Sequence, residues 1–127
     1  MTQSSRPLSP HLSIYKSEVT MVMSILHRIT GIGLYLGMVL IVWWLAAASI
    51  SESYLGFVNA VAGSWFGQIV LIGFTWALFH HMLGGFRHFI WDTGRGFSEA
   101  ARFGFAWFTL IGGLVLTLLV WVFFVWM

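Results

Sequence analysis

The stretch Phe79–Asp92, FHHMLGGFRHFIWD, lies at the end of an uncharged run, Ser53–Phe86, and sets three histidines (His80, His81, His88) and Arg87 at its edge. Ionisable side chains are costly at the border of an apolar segment. The reading of this stretch decides the fold. It is either the end of a membrane helix or part of a buried soluble core. The rest of the chain favours the membrane. Only 8% of the 127 residues are charged, 59% are hydrophobic, and the mean hydropathy is +0.89. Two further runs, Ile29–Ser51 and Phe103–Met127, also carry no formal charge. A helix needs about 20 apolar residues to cross a bilayer, so each run is long enough. The sequence predicts an all-α integral membrane protein with three transmembrane helices, at about 21–50, 65–90 and 103–126. Residues 1–20 form a polar arm, in which Pro7 and Pro10 disfavour regular helix. Ser51–Ser64 reads as a short loop. Gly94 and Gly96 mark the turn of a second loop, Trp91–Arg102.

The charges orient the chain. The six basic residues are Arg6, Lys16, Arg28, Arg87, Arg95 and Arg102. All fall on one side of the three spans, and the first loop and the C-terminus have none. The positive-inside rule places that side, and the N-terminus, in the cytoplasm. Trp43, Trp44, Trp65, Trp121 and Trp126 suit an aromatic belt on the far face, and Trp91 suits the near one. The N-terminus has no apolar core for a secretory signal and little arginine for a transit peptide. A bacterial cytoplasmic (inner) membrane is the expected location.

Composition excludes several classes. There is no cysteine, hence no disulfide, no cysteine-held iron–sulfur cluster and no thiolate-bound haem. A net charge of +2 gives no reason to expect nucleic acid. No repeated halves of a transporter are visible.

The topology brings two separated motifs to one end. Helix 1 enters just after SILHR (Ser24–Arg28), and helix 2 returns to end near FRHF (Phe86–Phe89). His81 and His88 are seven residues apart, which puts them on one face about 10 Å apart along the axis. His80 points about 100° away from His81. Gly84 and Gly85 leave a patch without side chains beside His81. Such a patch admits a close helix or a flat, bulky cofactor. An intramembrane imidazole needs a partner, so His81 is read as a metal or haem ligand or as a packed core group. One histidine supplies one axial ligand. A second ligand comes from His27, from His11 or, more simply, from a partner chain. His88 reads as an interfacial anchor. Ser24 and Arg28, four apart, make a donor pair at the membrane edge suited to a carbonyl oxygen, a carboxylate or a lipid phosphate. The bland reading of Arg28 is a snorkelling topology charge. Gly31 and Gly33 read as helix-packing positions.

Three stretches, RPLSPHLSIYK (Arg6–Lys16), SILHRITG (Ser24–Gly31) and HHMLGGFRHFIWDTG (His80–Gly94), together resemble the larger cytochrome b membrane-anchor subunit of succinate dehydrogenase, respiratory complex II, in its alphaproteobacterial and mitochondrial branch. The resemblance covers essentially the whole chain. It implies half of a heterodimeric helix-bundle anchor that holds one haem b with a second small anchor subunit and builds a ubiquinone site. It implies a flavoprotein subunit that oxidises succinate and an iron–sulfur subunit that passes electrons on, with flavin and clusters in those partners alone. In the family's H-x-x-x-G-x-R-H pattern the first histidine is the axial haem ligand, which here is His81. In its S-I-x-H-R pattern Ser24, Ile25 and Arg28 face the quinone, and His27 and Arg28 lie near the haem propionates. Where many members carry asparagine, this chain has Gly84. No group for succinate chemistry is visible, so the chain is noncatalytic for that step. The rivals are the anchor of a quinol:fumarate oxidoreductase, a purely structural anchor without haem, and a small proton or solute channel. The lack of charge within helices 1 and 3 disfavours the last.

Overall fold

The computed structural model describes residues 17–127. The arm motif RPLSPHLSIYK, with Pro7, Pro10 and His11, lies outside the described residues. Four helices follow in order: α1 (Val19–Ile50), α2 (Glu52–Gly63), α3 (Trp65–Asp92) and α4 (Glu99–Val120). α4 runs on into a π-wound last segment, Trp121–Trp126. No strand occurs among the described residues. α1, α3 and α4 with its continuation are each long and apolar enough to cross a membrane. At 1.5 Å per residue the 32 residues of α1 extend about 48 Å, well beyond a hydrocarbon core of about 30 Å. The turns before Arg28 are continuous with the rest of α1.

The expected loop at Ser51–Ser64 is a helix. Ser51 breaks α1 by taking an extended conformation, and its hydroxyl then accepts from the Tyr54 amide at 3.1 Å. Glu52 sits in the first turn, where the helix dipole favours a negative charge. Leu55, Val58 and Ala62 recur at helical spacing and turn inward, Val58 with only 3% exposure. The signal was a short 3.6-residue period behind a serine cap. Ser64 ends α2 and caps α3, accepting from the Gly67 amide at 3.1 Å. A side chain at Gly67 would strike the Val61 carbonyl and Ala62, so this corner needs a glycine. Two indole N–H groups tie α2 to α1. Trp43 donates to the Tyr54 hydroxyl (2.9 Å) and Trp44 to the Asn59 side-chain oxygen (3.0 Å).

The other connection is shorter than expected. α3 runs to Asp92, and α4 begins at Glu99 behind a Ser98 cap on Ala101. Gly94 and Gly96 turn the chain at φ of 76° and 79°, in the left-handed region that glycine adopts without penalty. Trp121 differs from the belt reading. It is 5% exposed and donates to Thr75 of α3 at 3.3 Å, so it is a packing residue.

The bundle is glued by small residues. α3 is central and packs on α1 and α4. The contacts are lined by Thr30, Gly37, Ala77, Gly84, Ala106, Thr109, Gly113 and Thr117, all buried. Large side chains such as Ile32, Leu36, Phe108 and Leu118 point outward. This inversion fits a bilayer, where apolar chains gain nothing by leaving lipid and close backbone approach drives association. The buried threonines return their hydroxyls to their own helices: Thr30 to Leu26 (2.9 Å), Thr109 to Phe105 (2.7 Å) and Thr117 to Gly113 (2.7 Å).

Candidate functional site

Glycines bring α1 and α3 together at the histidine end. A Cβ on Gly84 would overlap the His27 ring, and a Cβ on Gly31 would stand 3.1 Å from His81 Cε1. With those positions bare, the rings of His27 and His81 stack at 3.9 Å with an interplanar angle of 20°. Of the two uses open to the Gly84–Gly85 pair, Gly84 serves helix approach. Gly33 also meets α3, through Ala77. His88, one heptad beyond His81, sets its ring edge against His27 at 5.3 Å and against Trp91 at 5.2 Å.

The hydrogen bonds of His81 fix its proton. Nδ1 lies 3.1 Å from the His27 carbonyl oxygen and 3.3 Å from the Thr30 hydroxyl. A carbonyl only accepts. Thr30 directs its own proton to the Leu26 or His27 carbonyl (2.9 and 3.0 Å), so its oxygen is also an acceptor toward the ring. In the neutral ring Nδ1 therefore carries the hydrogen, and Nε2 keeps its lone pair. Nε2 takes no hydrogen bond from the described residues. This is the arrangement of a metal-binding imidazole, whose second nitrogen is held by a carbonyl. Thr30 was not singled out in the sequence. The available signal was a hydroxyl three residues after His27, on the face that also carries Gly31.

His80 and His81 part company. His80 turns to α4, where its backbone meets Gly113; it is 1% exposed and stacks on Trp76 at 5.2 Å. Arg87, seven residues on, shares that face and is 5% exposed. FHHMLGGFRHF thus encodes two parallel stripes: His81–His88 toward α1, and beside it His80–Arg87, of which His80 meets α4.

Ser24, Ile25 and Arg28 do not join the histidine cluster. They lie exposed on a neighbouring strip of the same turns of α1, Ile25 at 57% exposure, while His27 turns inward to α3. A hydroxyl, a guanidinium and an apolar side chain are thereby presented away from this chain's own core. Among the described residues no group of three or more His, Cys, Asp or Glu gathers that could hold a bare metal ion. A porphyrin iron makes no such demand, since the macrocycle supplies four ligands and one or two imidazoles suffice. The donor set fits a haem.

Comparison with known proteins agrees with this architecture. The succinate dehydrogenase/fumarate reductase transmembrane subunit family matches residues 2–120. The succinate dehydrogenase cytochrome b556 subunit of Paracoccus denitrificans is 40% identical over 119 residues, 94% of this chain and 92% of its own length. That of Rickettsia felis is 39% identical over 117 residues, 92% of this chain and 91% of its own. The mitochondrial cytochrome b560 subunit of Mus musculus is 39% identical over 104 residues, 76% of this chain and 59% of its own. With three apolar spans, two paired histidine motifs at one end and this extent of similarity, the chain belongs to the family of succinate dehydrogenase/fumarate reductase transmembrane subunits.

Proposed function

We propose that this chain is the larger anchor subunit of a succinate:quinone oxidoreductase, holding one haem b with a second small anchor subunit and forming part of the ubiquinone site. The observation that carries the reading is His81, whose Nδ1 hydrogen is committed to the His27 carbonyl and Thr30 while Nε2 keeps its lone pair. His81 would hold the haem iron together with a ligand from the second anchor, and His27 and Arg28 would help to hold the haem's carboxylates. A haem bound there would supply one-electron transfer.

This chain's own residues bind and orient the quinone. Ser24 donates a hydrogen bond to a quinone oxygen, Arg28 supplies a positive charge beside it, and Ile25 packs on the ring. Their exposure in the isolated chain suits a site completed by partner subunits. The flavoprotein subunit oxidises succinate, and the iron–sulfur subunit delivers the electrons. The N-terminus and the basic loop face the cytoplasm, in the inner membrane of a bacterium. The names of the relatives favour succinate oxidation as the direction.

The test compares the complex purified through this chain in mild detergent with its His81→Ala variant, by reduced-minus-oxidised visible spectra. A low-spin b-type signal in the wild type that is lost in the variant is expected. An unchanged signal would remove His81 as ligand. Ser24→Ala and Arg28→Leu are expected to impair quinone reduction while succinate oxidation with a soluble dye continues. Equal loss of both activities would make the two residues assembly groups.

A further inference from the structure

The His80–Arg87 stripe has no part in the function proposed above, yet Arg87 is an unusual residue. It is 5% exposed and makes no hydrogen bond or ion pair with the described residues, and its Nε is sealed from solvent. The Trp91 ring stands 4.9 Å from the guanidinium carbon, and the charge also reaches the His80 and His27 rings. The indole face attracts the charge but accepts none of the five N–H groups in their own plane. Asp92 and Glu99, the carboxylates nearest in sequence, are exposed.

A second cation, Arg102, stands on the facing helix α4. α3 and α4 run antiparallel with His80 against Gly113 and Leu83 against Gly112. Counting equally along both helices from His80 and Gly113 brings Trp91 opposite Arg102. Arg102 is half-buried, and its Nε is likewise sealed and without a partner. It stands in the first turn of α4, at the positive end of a 22-residue helix, where a cation is disfavoured unless an anion joins it. The indole N–H of Trp91 is already spent on the Gly96 carbonyl at 3.2 Å. Two buried guanidinium Nε groups, one on each of these helices, thus have no acceptor from this chain among the described residues.

The acceptor must come from outside, and its depth identifies it. Trp91 closes the apolar part of α3 where the charged loop begins, the level of the lipid headgroups. Trp91 and Phe97 stack at 6.1 Å and give an apolar wall beside the cations. We propose that Arg87 and Arg102, with Trp91 between them, seat the phosphate of one bound phospholipid between α3 and α4.

The test uses the whole complex in mild detergent. Bound phospholipid is counted by phosphorus assay and native mass spectrometry for wild type, Arg87→Gln, Arg87→Lys and Arg102→Gln. The glutamine variants are expected to lose one phospholipid per copy of this chain on a delipidating wash, and Arg87→Lys to retain it. An unchanged count in both glutamine variants overturns the proposal. If Arg87→Gln does not assemble, the less buried Arg102→Gln decides alone. Loss of haem absorbance, or of a partner subunit, with the lipid count intact would assign the acceptor to a carboxylate and overturn it. So would full restoration of delipidated wild-type thermal stability by inorganic phosphate without phosphatidylglycerol vesicles.

Discussion

Replacing Thr30 by valine tests whether the hydrogen bonds to His81 set its ability to hold iron. Valine keeps the β-branched shape and nearly the volume of threonine but removes the oxygen 3.3 Å from His81 Nδ1. The His27 carbonyl, at 3.1 Å, still accepts the Nδ1 hydrogen, so the tautomer is weakened and not reversed. Loss of a partner that orients a metal-bound histidine typically costs about 10–100-fold in affinity. With the shorter of two acceptors kept, the lower end applies, about tenfold or ~1.4 kcal/mol. The assay is the rate at which haem leaves the detergent-solubilised complex for an excess of an apo-haem acceptor protein, followed in the visible spectrum. Thr30→Val is expected to lose haem about tenfold faster, and Thr30→Ser, which restores the oxygen, to stay near wild type. Wild-type behaviour in Thr30→Val would refute the reasoning. Equal impairment of Thr30→Ser and Thr30→Val would do so too, because the effect would then follow the packed methyl group.

Two further outcomes test the scaffold. Gly37→Ala places a methyl group against the Phe74 ring, and overpacking of this kind costs about 1–3 kcal/mol; thermal unfolding in detergent should show the loss, and adding Phe74→Leu should recover part of it. Ser51→Ala removes the cap on the Tyr54 amide, worth about 0.5–2 kcal/mol, and amide hydrogen exchange should rise in α2 while α3 and α4 stay protected.

The long apolar runs made the three spans legible, because a single segment satisfies all its own backbone polar groups in hydrocarbon only as a helix. The same runs hid the faces. A helix apolar all round carries no period that tells its inward side, so the roles of Gly37, Ala77 and Gly113 emerged only from packing. α2 was overlooked because twelve residues behind a serine look like a loop when the neighbouring runs are far longer. The position of Trp121 in the last apolar run suits a belt residue, but its contact with Thr75 depends on how α4 lies against α3.

At the candidate site the division has a physical cause. The sequence by itself determined that His81 and His88 share a face and that His80 and Arg87 share another, since a seven-residue spacing brings a helix back almost to its starting angle. It also determined that SILHR and FRHF meet at one end, because the spans alternate in direction. Only the tertiary structure decided which stripe meets which helix. Bare glycines at Gly31 and Gly84 let α1 settle on the His81 side, bringing the His27 carbonyl and Thr30 onto His81 Nδ1. The same packing set α4 against His80 and left Arg87 buried. That choice rests on complementary shape between helices, which is a property of pairs of surfaces and is written on neither helix alone.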